Sequence, residues 1–283
     1  MPISIEPTDA TLGAAIRNVD LRILDEDTWT AIEQAFLEHA LLIFPEQHLT
    51  EAEQVQFAER FGDIEILVDD RKSIPISNRP DGAILGDESH HMQLLKGNEG
   101  WHTDSSYMPV SAKASVLSAH VVPKSGSETE WADVRAAYDA LDEETRSSLN
   151  KLNAYHCYFH SQAQIGHKVE VGAGYGFFDG EAPLHPLVKI HPVTKRPALF
   201  IGRHIKRIAE LDEAESEQLV QKLMFFSCQS PRTYRHAWRP GDVVVWDNRC
   251  VLHRARPYDQ REERLMLHTR VKGDPATESA LNA

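Results

Sequence analysis

Cysteine is scarce in this 283-residue chain: Cys157, Cys228 and Cys250 make an odd number and show no zinc-finger spacing. That excludes a disulfide scaffold and fits reduced thiols, so a cytoplasmic protein is expected. No stretch approaches the ~18–20 apolar residues of a membrane span. The opening Met-Pro-Ile-Ser-Ile-Glu also lacks the basic-then-apolar order of a leader. Positive charge is in deficit, with 30 Lys and Arg against 43 Asp and Glu and a formal charge of −13. A nucleic-acid partner, which needs a basic face, is therefore not expected, nor is a membrane. A small anionic ligand stays open, because a few arginines in a cleft reverse the local field. Internal repeats, low-complexity tracts and Pro/Ser-rich linkers are lacking as well, so residues 1–283 are expected to form one domain with insertions.

What is present is an ordinary globular composition, 41% apolar and 26% charged, enough for a substantial core. Residues 26–38 carry Trp29, Ile32, Phe36 and Leu37 at helical spacing, and 40–44 read as a short buried strand ended by Pro45. Thr50 and Glu53 form a capping-box pattern ahead of a second amphipathic helix bearing Val55, Phe57 and Phe61. Residues 65–100 lose periodicity and read as a lid loop leading into a site. Beyond it, 114–122 predicts a strand, 133–141 a helix, and Gly172, Gly174 and Gly176 mark turns. A helical pattern covers 212–226, and strand-like runs follow at 233–238, 242–246 and 264–271. The pattern predicts a mainly β protein with helices (α+β), an antiparallel double-sheet jelly roll.

The chemistry centres on His102-Thr-Asp104. On an extended strand, residues two apart project from one face, so both side chains can reach one metal ion. A third ligand would complete a two-histidine, one-carboxylate face with open positions, as suits non-haem Fe(II) oxygenases. A His-x-Asp tripeptide is short enough to arise by chance, and a hydrogen-bonded structural role is its bland alternative. Three other features stand beside it: His253 after Trp246-Asp-Asn-Arg-Cys-Val-Leu, Arg264 eleven residues later, and Thr129 in Gly126-Ser-Glu-Thr-Glu-Trp131.

With Trp101-His-Thr-Asp104, Gly126-Ser-Glu-Thr129, Trp246 to His253 and Arg264 in place, the chain resembles the taurine and 2,4-dichlorophenoxyacetate dioxygenases. These are Fe(II)- and 2-oxoglutarate-dependent oxygenases on a double-stranded β-helix (a cupin-like jelly roll). The resemblance runs from about residue 5 to 274, nearly the whole chain. It implies that His102, Asp104 and His253 bind Fe(II), and that Arg264 and Thr129 hold the distal carboxylate of 2-oxoglutarate. It also implies O2 as a cosubstrate, with release of succinate and CO2. Ala10-Thr-Leu-Gly-Ala14, His39-Ala-Leu-Leu-Ile-Phe-Pro45, Arg135-Ala-Ala-Tyr-Asp-Ala-Leu141 and Ile201-Gly-Arg-His204 read like the branch that cleaves aryloxyalkanoates such as (S)-2-phenoxypropionates.

The substrate acid is less constrained. Relatives place an arginine four residues beyond the 2-oxoglutarate arginine, and here that position is His268. Met266, His268 and Arg270 share a strand face with Arg264, at ~3.3 Å per residue, so His268 is expected to hold the acid. Arg270 is a second candidate or a structural pair at the barrel rim. Asn98, four residues before His102, matches a substrate-contacting position and reads equally as a turn asparagine. His90 and His91 in the lid read as solvated. The expected partner is a small organic anion, with self-association into a homo-oligomer. A sulfonate, alkyl sulfate or aliphatic carboxylate substrate remains an alternative, as does a non-catalytic 2-oxoglutarate sensor.

Overall fold

The computed structural model describes residues 3–66, 70–80, 82–86, 89–169 and 178–283. The antiparallel pair β1 (Ser4–Pro7) and β2 (Ala14–Arg17) precedes α1 (Glu26–His39), β3 (Leu41–Phe44) and α2 (Glu51–Glu59). β4 (Ile74–Ser77) and α3 (His90–Gly97) lead to β5 (Ala114–Val121), β6 (Thr129–Asp133) and α4 (Val134–Asp139). Next come α5 (Glu143–Leu149), β7 (Asn153–His156) and α6 (Tyr158–Ala163), then β8 (Leu184–Pro186), β9 (Val188–Ile190), β10 (Pro197–Leu199) and β11 (Ile205–Ile208). α7 (Glu213–Ser227) is followed by β12 (Thr233–His236), β13 (Val243–Asp247), β14 (Val251–Ala255), β15 (Leu265–Val271) and α8 (Pro275–Glu278).

Of the four sheets among the described residues, two make the roll. The larger runs in the order β1-β2-β3-β13-β5-β15-β4, and the smaller in the order β12-β6-β14. The central strands β3 and β13 of the larger sheet are buried on both faces, which is why β13 reads as an unbroken apolar run rather than an alternating one. Its Val244 and Trp246 join a core with Trp131, Ala132 and Leu252 of the smaller sheet. Val243 and Val245 face the other way, into a core with Ile32 and Phe36 of α1 and Phe57 of α2. The two helices start where the sequence predicts. The Asp25 carboxylate accepts from Thr28 N ahead of α1, and Thr50 and Glu53 form the capping box of α2.

The stretch 65–100 departs from the expected loop. Ile74–Ser77 pairs with β15 as the edge strand of the large sheet, and α3 is capped by the Ser89 hydroxyl. Pro75 obscured the strand, because proline is tolerated only where its missing N–H faces no neighbour. Only eight residues long, α3 is too short for its periodicity to stand out. Residues 102–104 are not a regular strand either. His102 makes a single bridge to His253, and the chain then turns, with Ser105 at φ 54°. Gly172, Gly174 and Gly176 lie outside the described residues. Among those described, no helix is long and apolar enough to cross a membrane, and Cys157, Cys228 and Cys250 are free thiols.

Candidate active site

His102 and His253 are brought together by backbone chemistry. Each N–H donates to the other residue's carbonyl, at 3.0 and 2.8 Å. Such a reciprocal antiparallel pair sets two side chains side by side, and the imidazole centroids are 4.1 Å apart. Thr103 turns away, its hydroxyl donating to Val251 O at 3.3 Å, while Asp104 returns to the face of His102. The result is a buried trio whose ligand atoms all lie within 4.8 Å of one another. Gly202 lets a neighbouring loop approach this bridge, for a Cβ there would stand 3.3 Å from His102 Cα.

The protonation states suit a divalent transition metal. Burial pushes the His102 imidazole down to about 4, against the pull of Asp104. His253 is likewise driven well below its ordinary value, first by burial and then by His102. Both rings are therefore neutral near pH 7. Nδ1 of His102 lies 2.8 Å from Gly100 O, which assigns the proton to Nδ1 and leaves the Nε2 lone pair for coordination. Burial alone would raise the Asp104 carboxyl, but Arg270, His253 and His268 together hold it well below the carboxylate range. Two neutral nitrogens and one carboxylate oxygen form a donor set that fits Fe(II).

Asn98, Thr129, Arg264, His268 and Arg270 line the same cavity as this trio. Arg264 is buried, and among the described residues no carboxylate pairs with it; its guanidinium faces the Tyr258 ring at 5.8 Å. Burial pulls it down to about 10, so it stays charged near neutrality. The buried Asn78 amide accepts from Arg264 N at 2.9 Å and donates to the carbonyls of Gln260 and Glu262, fixing the segment before β15. Trp238 Nε1 donates to Thr129 Oγ1 at 2.9 Å. Because an indole N–H only donates, the Thr129 proton is left to point elsewhere.

His268 and Arg270 both approach Asp104, His268 Nε2 at 3.5 Å from Oδ2 and Arg270 Nη2 at 3.4 Å from Oδ1. His268 stacks on Trp246, with centroids 5.9 Å apart and planes at 10°. Arg270 is buried rather than at an exposed rim, and its Nη1 also donates to Ser105 Oγ, which in turn donates to Glu65. Asn98 closes α3 and its carbonyl accepts from Ala255 N at 2.8 Å, tying that helix to β14. Ile76 of β4 and Met92 and Leu95 of α3 give the cavity an apolar wall. His90 and His91 are engaged elsewhere: His90 Nδ1 lies 3.0 Å from His167 Nε2, and His91 Nε2 lies 3.0 Å from Ser77 O.

A second buried cluster, His191, Asp247 and Cys250, has ligand-like composition. Its carboxylate is committed to Arg249 at 2.7 and 2.6 Å and to His191 Nε2 at 3.0 Å, so it is an internal ion pair. No motif in the sequence pointed to Ser115, Asn78 or Glu65. For Trp246 and Asn248, the one available signal was membership of the Trp246-Asp-Asn-Arg motif.

The taurine catabolism dioxygenase TauD, TfdA family matches residues 4–270. The chain is 51% identical to the (S)-phenoxypropionate/alpha-ketoglutarate-dioxygenase of Sphingobium herbicidovorans, covering 98% of this chain and 97% of that one. It is 47% identical to the enzyme of the same name from Delftia acidovorans, over 98% of each. A solved structure, AAD-2 in complex with Mn(II) and N-oxalylglycine, superposes with a TM-score of 0.90 at 35% identity, covering 99% of both chains. The chain belongs to the TauD, TfdA family of Fe(II)- and 2-oxoglutarate-dependent dioxygenases.

Proposed function

We propose that this dioxygenase oxidises an aryloxyalkanoate of the phenoxypropionate type, with His102, Asp104 and His253 holding Fe(II). The observation that carries the reading is the convergence, on one cavity, of this buried donor trio and a buried arginine without a carboxylate partner among the described residues. Bound there, Fe(II) supplies dioxygen activation coupled to decarboxylation of 2-oxoglutarate to succinate and CO2. Arg264 takes the distal carboxylate of 2-oxoglutarate in a charge-assisted pair, and the Thr129 hydroxyl, already accepting from Trp238, donates its proton to the same group. The substrate acid is held on the side of His268, with Arg270 and Asn98 beside it. The ether-bearing carbon then lies beside the reacting centre and the aryl ring against Ile76, Met92 and Leu95. This apolar wall also excludes water from the reaction. Hydroxylation at a carbon bearing both the carboxylate and an ether oxygen gives a hemiketal, which collapses to a phenol and a 2-oxo acid. The substrates named for the relatives from Sphingobium and Delftia support this class.

The test is 2-oxoglutarate turnover with Fe(II) across phenoxypropionates, phenoxyacetates, sulfonates, alkyl sulfates and aliphatic acids. Succinate and phenol should form in equal amounts with phenoxypropionates. Coupled turnover with a sulfonate or alkyl sulfate, and none with aryloxy acids, would overturn the substrate class.

A further inference from the structure

The residues around Asp104 form a hydrogen-bond chain whose direction is forced from one end. Trp246 Nε1 donates to Asn248 Oδ1 at 2.9 Å. An indole N–H has no acceptor capacity, so this contact identifies the amide oxygen of Asn248 and places its NH2 on the other side. The Asp104 backbone N–H, 3.4 Å from the same oxygen, agrees with that orientation. Asn248 Nδ2 then donates to Ser115 Oγ at 2.8 Å. Having accepted there, the Ser115 hydroxyl donates its own proton to Asp104 Oδ2 at 2.7 Å. All four residues are buried, so water does not compete for these groups.

The sheet makes the chain possible. Trp246 and Ser115 are direct partners across β13 and β5, and Ser115 is in turn the partner of Arg270 across β5 and β15. One row across three strands therefore addresses Asp104 from both sides, with Ser115 on Oδ2 and Arg270 on Oδ1. Alternation along the motif divides its labour: Trp246 and Asn248 serve Asp104, while Asp247 pairs with Arg249 and with His191.

We infer that Ser115 and Asn248 are positioning residues that fix the Asp104 carboxylate in its metal-binding orientation before the metal arrives. The inference rests on the reading of Asp104 as a metal ligand. Partners of this kind orient a ligand and are worth ~10–100-fold in metal affinity. Neither side chain lines the cavity, so the effect should appear on the metal itself.

The experiment measures Mn(II) binding by electron paramagnetic resonance, without 2-oxoglutarate and without turnover, alongside thermal unfolding. Ser115→Ala and Asn248→Ala should each weaken Mn(II) binding by about 10–100-fold. The double variant should be little worse than either single one, since both break the same chain. An isosteric pair at Ser115 guards against a packing artefact: Ser115→Thr, which keeps a hydroxyl, should bind Mn(II) more tightly than Ser115→Val. Wild-type affinity in both alanine variants, additive losses in the double variant, or equal affinities in the Thr and Val variants would overturn the inference. Wild-type affinity in Asp104→Ala, or no Mn(II) binding by the wild-type protein, would instead overturn the metal assignment on which it stands.

Discussion

Arg249, in the turn between β13 and β14, and Arg264, just ahead of β15, are both buried, yet their surroundings are opposite. Arg249 grips both oxygens of Asp247, and although burial acts to lower it, that carboxylate pushes its guanidinium upward. Arg135 repeats the arrangement with Asp133, two residues earlier, at 2.9 and 3.0 Å. Arg264 has no carboxylate pair among the described residues and is pulled down by burial, with the Tyr258 ring as its close neighbour. An arginine paired within its own strand end serves the fold. One kept buried in a cavity without a counter-charge is stabilised only when an anion arrives, so it marks a binding site.

Removing an arginine of the first kind should cost most. Arg249→Leu leaves Asp247 buried without its cation and should cost about 3–5 kcal/mol of unfolding free energy, read by denaturant titration. Converting Asp247 to Leu as well should recover much of that loss. Arg264→Leu should do the reverse. Calorimetry should show 2-oxoglutarate binding weakened by about 2–5 kcal/mol, while unfolding stability holds or rises because an uncompensated buried charge is gone. A stability loss in Arg264→Leu equal to that in Arg249→Leu would erase the distinction.

Low pH separates the two kinds of arginine as well. Burial alone would raise Asp247, but Arg249 and His191 depress its carboxyl below the ordinary range. Its contribution is therefore present above the unfolded aspartate value of about 3.9 and lost as pH falls through the lower folded value. The stability gap between wild type and Arg249→Leu should narrow as pH drops below about 4; a constant gap would mean that the pair is not what the variant removes. The smallest effect belongs to Trp238→Phe, which frees Thr129 Oγ1 from its donor. It should raise the 2-oxoglutarate constant severalfold, about 1 kcal/mol, while leaving metal binding unchanged. Equal weakening of Mn(II) would place Trp238 on the wrong side of the site.

Much was legible where the signal is local. The capping box at Thr50 and Glu53 spans a single helical turn. The helix over 212–226 is realised as Glu213–Ser227, and the runs at 114–122 and 264–271 as Ala114–Val121 and Leu265–Val271, because periodicity and turn residues are properties of neighbours. The motif residues His102, Asp104, His253, Thr129 and Arg264 were readable as a set, and alternation along β15 already put His268 and Arg270 on the face of Arg264.

Residue order along the chain carried the chemical inventory: an imidazole–carboxylate pair, a second imidazole, an arginine and a hydroxyl, and strands to carry them. How they are wired followed from contacts between distant segments. Asn248 meets Ser115 across 133 residues of chain, and Arg270 meets Ser105 across 165. Asp104 thus shares its two oxygens between a serine that no motif marks and an arginine expected nearer the rim. Strand register sets these contacts, and a shift of one residue would turn every such side chain to the opposite face. Register is fixed by pairing between distant segments, and such pairing leaves no periodic trace in either segment alone.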